Sequence, residues 1–199
     1  MKKETIACFD FDGTITRSDS LLPFLIFSSG IAKTIGYLLL ELPALMGYAF
    51  KMYDRQQVKE AVLRRFFRGI PEEKMLGMCR DYAHNELPKQ VKKEALEAIS
   101  KHKARGDRLI LISASIDAYL KPWADAAGFD CLLSSRLEFK EGAVTGNLVG
   151  KNCRAEEKVA RLKNLLGDLE RFEIYAYGDS RGDKELLESA DHPYYRTFQ

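Results

Sequence analysis

The chain has 199 residues, 46% of them hydrophobic, which suits one large domain or a domain carrying a modest insertion. Its 31 Lys and Arg against 29 Asp and Glu leave a formal charge of +2, so composition gives no ground for a nucleic-acid binder, which needs a concentrated basic face. Cys8, Cys79, Cys131 and Cys153 form no CxxC pair and read as reduced thiols of a cytoplasmic protein, and the opening MKKETIACFDFDGT lacks the apolar run of a secretory signal.

Thr5 to Phe11, TIACFDF, is a short apolar run rich in β-favouring residues and predicts a central strand ending at carboxylates. Residues 21–50 carry only Lys33 and Glu41 as charges. The stretch from Thr34 to Phe50 is shorter than the roughly 20 residues that span a bilayer, and it contains Glu41 and Pro43. It reads as a pair of packed helices, with an apolar surface for lipid substrate or peripheral membrane contact as the alternative. Apolar residues at helical spacing follow in 54–67, and Pro71 can open another helix. With no convincing strand between Ser18 and Pro88, residues 17–85 are expected to be a helical insertion into a unit made of 1–16 and 86–199.

Beyond Pro88 the element types alternate. A helix is predicted over 89–104, then the strand RLILI at 108–112, a helix over 116–126 and a short extended piece at 129–133. A hairpin arm follows in LEFKEGAVTGNLVG, then a helix over 155–166, the strand FEIYAYG and a last helix over 184–190. This order predicts an α/β fold, a mostly parallel sheet flanked by helices, whose chemistry lies beyond the carboxyl ends of the strands.

Four strand ends carry polar residues suited to one reaction. Asp10 and Asp12 flank Phe11 in FDFDGT, and residues two apart on a strand point the same way. Crowded carboxylates need a cation, and a hard divalent ion with oxygen ligands, magnesium for a phosphate substrate, meets that need. Asp10 can attack phosphorus, Asp12 can protonate the leaving oxygen and then activate water, and Thr14 can bind phosphate or orient the turn that Gly13 allows. Ser113, with the following Ala114 backbone N–H, can grip phosphate oxygens, while Ser115 can cap the next helix. Lys158 in NCRAEEKVARL can lean from the first turn of its helix towards the strand ends, with Lys151, Arg154 and Arg161 as competitors. GDSRGD presents Asp179 and Asp183 after Gly178, with Ser180 between them; Asp179 can complete a metal shell, and Asp183 can reach the ion through water or fix Lys158.

These motifs, DFDGT at Asp10 to Thr14, a strand ending at Ser113, Lys158, and GDSRGD from Gly178 to Asp183, resemble the haloacid dehalogenase superfamily of phosphohydrolases and are most similar to its phosphoserine-phosphatase-like subgroup. The resemblance implies a helical C1 cap between the first and second motifs. It also implies Asp10 as nucleophile, Asp12 as acid then base, magnesium held by Asp10, Asp179 and the Asp12 carbonyl, and Thr14, Ser113 and Lys158 on the transferring phosphoryl group. Asp19 and Arg65 fall at offsets similar to those of substrate-recognising residues in phosphoserine phosphatases. The apolar 21–50 segment speaks against phosphoserine and for a phospholipid head group or another small phosphorylated metabolite. A phosphoryl transferase and a regulatory or lipid-interface binding module remain the alternatives, as does location at the inner face of a membrane.

Overall fold

The computed structural model describes residues 3–50 and 52–198, so Met1 and Lys2 of the opening segment and the side chains of Leu45 and Ala49 lie outside the described residues. β1 (Glu4–Phe9), β2 (Arg108–Ile116), β3 (Cys131–Lys140), β4 (Ala143–Val149), β5 (Phe172–Gly178) and β6 (His192–Tyr195) form one sheet in the order β4-β3-β2-β1-β5-β6. Every pairing is parallel except β3 with β4. This is the expected mostly parallel α/β sheet.

Period-two alternation explains why both faces are covered. Ala7 and Phe9 of β1, with Leu109 and Leu111 of β2, enter one core, and Ile6, Cys8, Ile110 and Ile112 enter the other. Helices α7 (Lys93–Arg105) and α8 (Asp117–Ala127) supply Ala95, Ile99, Leu120 and Trp123 to the first. Helices α9 (Glu156–Leu166) and α10 (Lys184–Glu188) supply Leu162 and Leu186 to the second. All four cysteines are free.

Among the described residues six α-helices lie between β1 and α7: α1 (Leu21–Ser29), α2 (Ile31–Leu40), α3 (Leu42–Ala49), α4 (Arg55–Phe67), α5 (Glu72–Asn85) and the short α6 (Leu87–Gln90). The chain leaves the sheet beside its point of return, with Arg17 N donating to Gln90 O at 2.9 Å and Lys92 N to Ile15 O at 2.8 Å. Helix α4 starts with a reciprocal cap between Asp54 and Gln57 and docks on the β3–β4 arm. There Arg64 Nη1 donates to Asn147 Oδ1 at 2.8 Å, and Leu148 N donates to Glu60 Oε1 at 3.1 Å.

Several expectations change. The 21–50 segment forms three helices, broken at Gly30 (φ +78°) and at Glu41. Among the described residues no single helix is long and apolar enough to cross a membrane; α1 and α2 pass only as a pair, bent by 118°. The helix expected over 89–104 begins at Lys93 because Val91 and Lys92 are extended. β3 runs unbroken from the sheet into the hairpin arm. β6 was not expected from HPYY, a four-residue edge strand containing Pro193.

Candidate active site

Register gathers the polar strand ends. Phe9 lies opposite Leu111 of β2 and Tyr177 of β5, so Asp10 and Asp179, just past β1 and β5, come to nearly one level with Ser113, which lies within β2 because that strand runs on to Ile116 beyond its expected end at 112. They line a cleft of about 810 Å³ that also includes Asp12, Lys158 and Asp183. β1 ends at Phe9, and residues Phe11–Ile15 form a tight turn in which Gly13 has φ +79°. A Cβ at Gly13 would stand 2.4 Å from Asp179 Oδ2, so both its backbone conformation and the approach of Asp179 require glycine.

Lys158 is the centre of the polar network. Its Nζ lies 2.6 Å from Asp10 Oδ1 and 2.6 Å from Asp183 Oδ1, with all three residues buried. Asp183 Oδ2 in turn accepts from Ser180 N at 3.0 Å and Ser180 Oγ at 2.8 Å. The structure therefore gives Asp183 the lysine-fixing position. Burial favours loss of the Lys158 charge, but the two carboxylates win and hold its pKa above the usual lysine value. Burial likewise pushes Asp183 up, and Lys158 and Ser180 more than offset this, leaving it below the usual carboxylate range. Asp10 is pushed up to about 7, by burial first, with Asp183 and Asp12 adding to the push against Lys158.

Thr14 Oγ1 donates to Asp10 Oδ2 at 3.1 Å and is 3.3 Å from Asp179 Oδ1, so its hydroxyl orients the two carboxylates. Asp10, Asp179 and Asp183 each offer a carboxylate oxygen within 4.8 Å of the others. Burial, then the Asp183 charge, raises the Asp179 pKa. Lys158 is engaged by Asp10 and Asp183, and Asp179 makes no ion pair among the described residues. An all-oxygen, anion-rich donor set of this kind suits a hard divalent cation.

Asp12 departs from the strand-alternation argument, because it lies beyond the end of β1. Its Oδ1 accepts from Ser20 N at 2.8 Å, and its Oδ2 accepts a short hydrogen bond from Ser115 Oγ. Burial pushes its carboxyl up to about 6, with the Asp19 charge adding and the serine hydrogen bonds opposing. Ser115 thus holds Asp12 and is not the cap of α8, whose N-cap position is Ile116. Ser113 is buried in the cleft wall and its Oγ accepts from Ser115 N at 3.1 Å.

Asp19 lines the cleft, although its Oδ1 also accepts from Leu21 N at 2.8 Å. Arg65 does not reach it: its Nε pairs with Glu41 Oε1 at 2.7 Å, on the outer side of α4. Of the two residues expected to recognise substrate, Asp19 is thus the one that lines the cleft. Among the competitors of Lys158, Arg154 lines the cleft, and Arg161 is tied to Glu157 at 2.8 Å and to Lys151 O at 2.5 Å. Lys59 was missed by sequence reasoning. It is half-buried in the wall of a neighbouring cavity, donates to Ala114 O and stands 3.4 Å from Asn152 Oδ1. Burial lowers its pKa to about 8. Its signal was present: Lys59 precedes Val62, Leu63 and Phe66 at helical spacing, a charge on the apolar face of α4.

The chain is 36% identical over 195 residues to Protein CicA of Caulobacter vibrioides, covering 98% of this chain and 86% of that protein. It is 24% identical over 195 residues to a phosphoserine phosphatase of Methanocaldococcus jannaschii, with 95% and 83% covered. Its fold matches a Bordetella pertussis protein of unknown function with a TM-score of 0.82 at 23% identity, covering 94% of this chain and 87% of that one. The profile of the haloacid dehalogenase-like hydrolases matches residues 7–188, and the chain belongs to that family.

Proposed function

We propose that this hydrolase cleaves phosphomonoesters, in the presence of magnesium, by passing the phosphoryl group through Asp10. The substrate is a small phosphorylated metabolite or a phospholipid head group. The observation that carries the reading is the convergence of Asp10, Asp12, Lys158 and Asp179 on one cleft, with Asp10 held by Lys158 and Thr14. Sequence similarity to the Methanocaldococcus jannaschii phosphoserine phosphatase is support of a coarser kind.

In the first half-reaction an Asp10 carboxylate oxygen bonds to phosphorus while the ester P–O bond breaks. Asp12 gives its proton to the departing alkoxide oxygen. A carboxyl lifted to about 6 is suited to this, because an acid whose pKa lies near the working pH can also act as a base. In the second half-reaction Asp12 takes a proton from water as the water oxygen bonds to phosphorus. The bond between phosphorus and Asp10 breaks, releasing inorganic phosphate and restoring the carboxylate. Ser20 and Ser115 hold Asp12 at this task.

Lys158 steadies Asp10 and offers positive charge to the phosphoryl oxygens, together with the Ser113 hydroxyl and the Ala114 N–H. Asp10, Asp179 and the Asp12 carbonyl are the groups that would hold magnesium, which supplies electrostatic stabilisation of the phosphoryl charge when bound. In this reading residues 17–85 act as a cap over a catalytic core of 1–16 and 86–199. A magnesium-dependent phosphate-release screen over soluble metabolites and phosphorylated lipids tests the proposal. Release that chelation removes is the expected result; no magnesium-dependent release from any phosphomonoester would overturn it.

A further inference from the structure

Beside the catalytic cleft lies a second cavity, of about 410 Å³, and the two share part of their lining. Asp12, Asp19, Arg55, Ala114 and Arg154 line both, so the junction sits at the proposed acid that serves the leaving oxygen. The far side of the second cavity is apolar. Leu21, Leu22, Leu25, Leu38, Val58 and Val62 form it, drawn from α1, α2 and α4. Its volume falls in the range of small-molecule sites, about 300–1,000 Å³.

We infer that this cavity receives the alcohol side of the substrate, and that the alcohol carries one apolar chain. The inference rests on the phosphatase reading and narrows its substrate class. A leaving oxygen at Asp12 has its carbon attached on the side away from Asp10, which is where the second cavity opens. A zwitterionic alcohol placed there would surrender the hydration of its ammonium and carboxylate to a wall of leucine and valine, an unfavourable exchange. Arg65, the arginine expected to meet such a carboxylate, is engaged by Glu41 and lines neither cavity. An alkyl chain instead trades water for a matching surface. Two basic groups, Arg55 and Arg154, stand at the junction, at the anionic end of the molecule rather than its tail, and Lys59 in the second cavity is turned to Ala114 O.

The test is a homologous series of ethyl, butyl and hexyl phosphate, kept below micelle-forming concentrations and compared with phosphoserine. Specificity constants are expected to rise about fourfold per methylene, the ratio that about 0.8 kcal/mol per buried CH2 gives. Phosphoserine is expected to fall below hexyl phosphate. Val58→Asp is expected to flatten the rise; Leu22→Gln, at a partly exposed position, provides a second variant should the first fail to fold. Independently of turnover, hexylphosphonate should bind more tightly than methylphosphonate by calorimetry. Turnover with a flat or falling chain-length series, or equal binding of the two phosphonates, would overturn the inference while leaving the phosphatase reading intact. No turnover of any ester would overturn both.

Discussion

The Nζ of Lys158 lies 2.6 Å from Oδ1 of Asp10, a buried ion pair joining residues 148 apart in sequence. It welds α9 to the end of β1, so the same contact positions the proposed nucleophile and holds two elements together. Lys158→Met is expected to leave Asp10 and Asp183 buried without their cation. The cost of breaking such a pair is about 3–5 kcal/mol. Urea unfolding of the variant measures it, and a loss below about 1 kcal/mol would contradict the structural role. Lys158→Arg is not expected to restore activity, because a planar fork does not replace a compact ammonium between two carboxylates.

Asp12→Asn is expected to leave the fold intact, since an amide oxygen can still accept from Ser20 N. Both half-reactions should slow, each by about 10²–10⁴-fold, because both need a proton moved at the same atom. Rapid-quench measurement of the two phases checks this. Unchanged rates in both phases, with the variant folded, would remove Asp12 from the proton pathway.

Gly146 fixes how α4 meets the β4 strand. It has φ +87°, and a Cβ there would stand 2.4 Å from Arg64 Cα, a backbone atom that cannot swing aside. Gly146→Ala is therefore expected to cost about 1–3 kcal/mol. Because α4 also carries Lys59 to Ala114 O, phosphatase activity should fall in parallel with urea stability.

His102 supplies a pH test remote from the cleft. Its Nδ1 lies 2.7 Å from Asp107 Oδ2 and its Nε2 2.9 Å from Tyr177 Oη. Burial, helped by Arg105 and opposed by Asp107, holds its folded pKa below the usual value of 6.5. The unfolded chain thus binds the proton more readily, and the stability that neutral His102 contributes is present above pH 6.5 and lost as pH falls through the folded pKa. The stability of the unaltered protein relative to His102→Gln should decline between pH 7.5 and pH 5. A difference that is flat, or that grows in acid, would contradict the assignment.

Local pattern carried most of the catalytic wall. Short apolar runs ending in Asp10, Ser113 and Asp179 sit on parallel strands, and parallel register alone brings their ends together. The helix of Lys158 was legible from Val159, Leu162 and Leu166, although its burial between two carboxylates was not. Other partners depend on distant contacts: Ser20 and Ser115 meet Asp12 across eight and 103 residues of chain. Arg65 shows the converse, for its offset matched a recognition residue while Glu41, 24 positions away, claimed its guanidinium. Helix breaks at Gly30 and Glu41 divided one apolar stretch into three helices, and that division shapes the second cavity from Leu25, Leu38 and their neighbours.

The proposed covalent step on Asp10 is tested most directly by trapping it. The enzyme is mixed with a turning-over phosphomonoester and magnesium, quenched in acid within the first turnover, reduced with borohydride and sequenced by tandem mass spectrometry. Reduction of an acyl phosphate at position 10, absent without substrate and absent in Asp10→Asn, is the predicted result. Full turnover by Asp10→Asn, or a trapped acyl phosphate on any other residue, would contradict it.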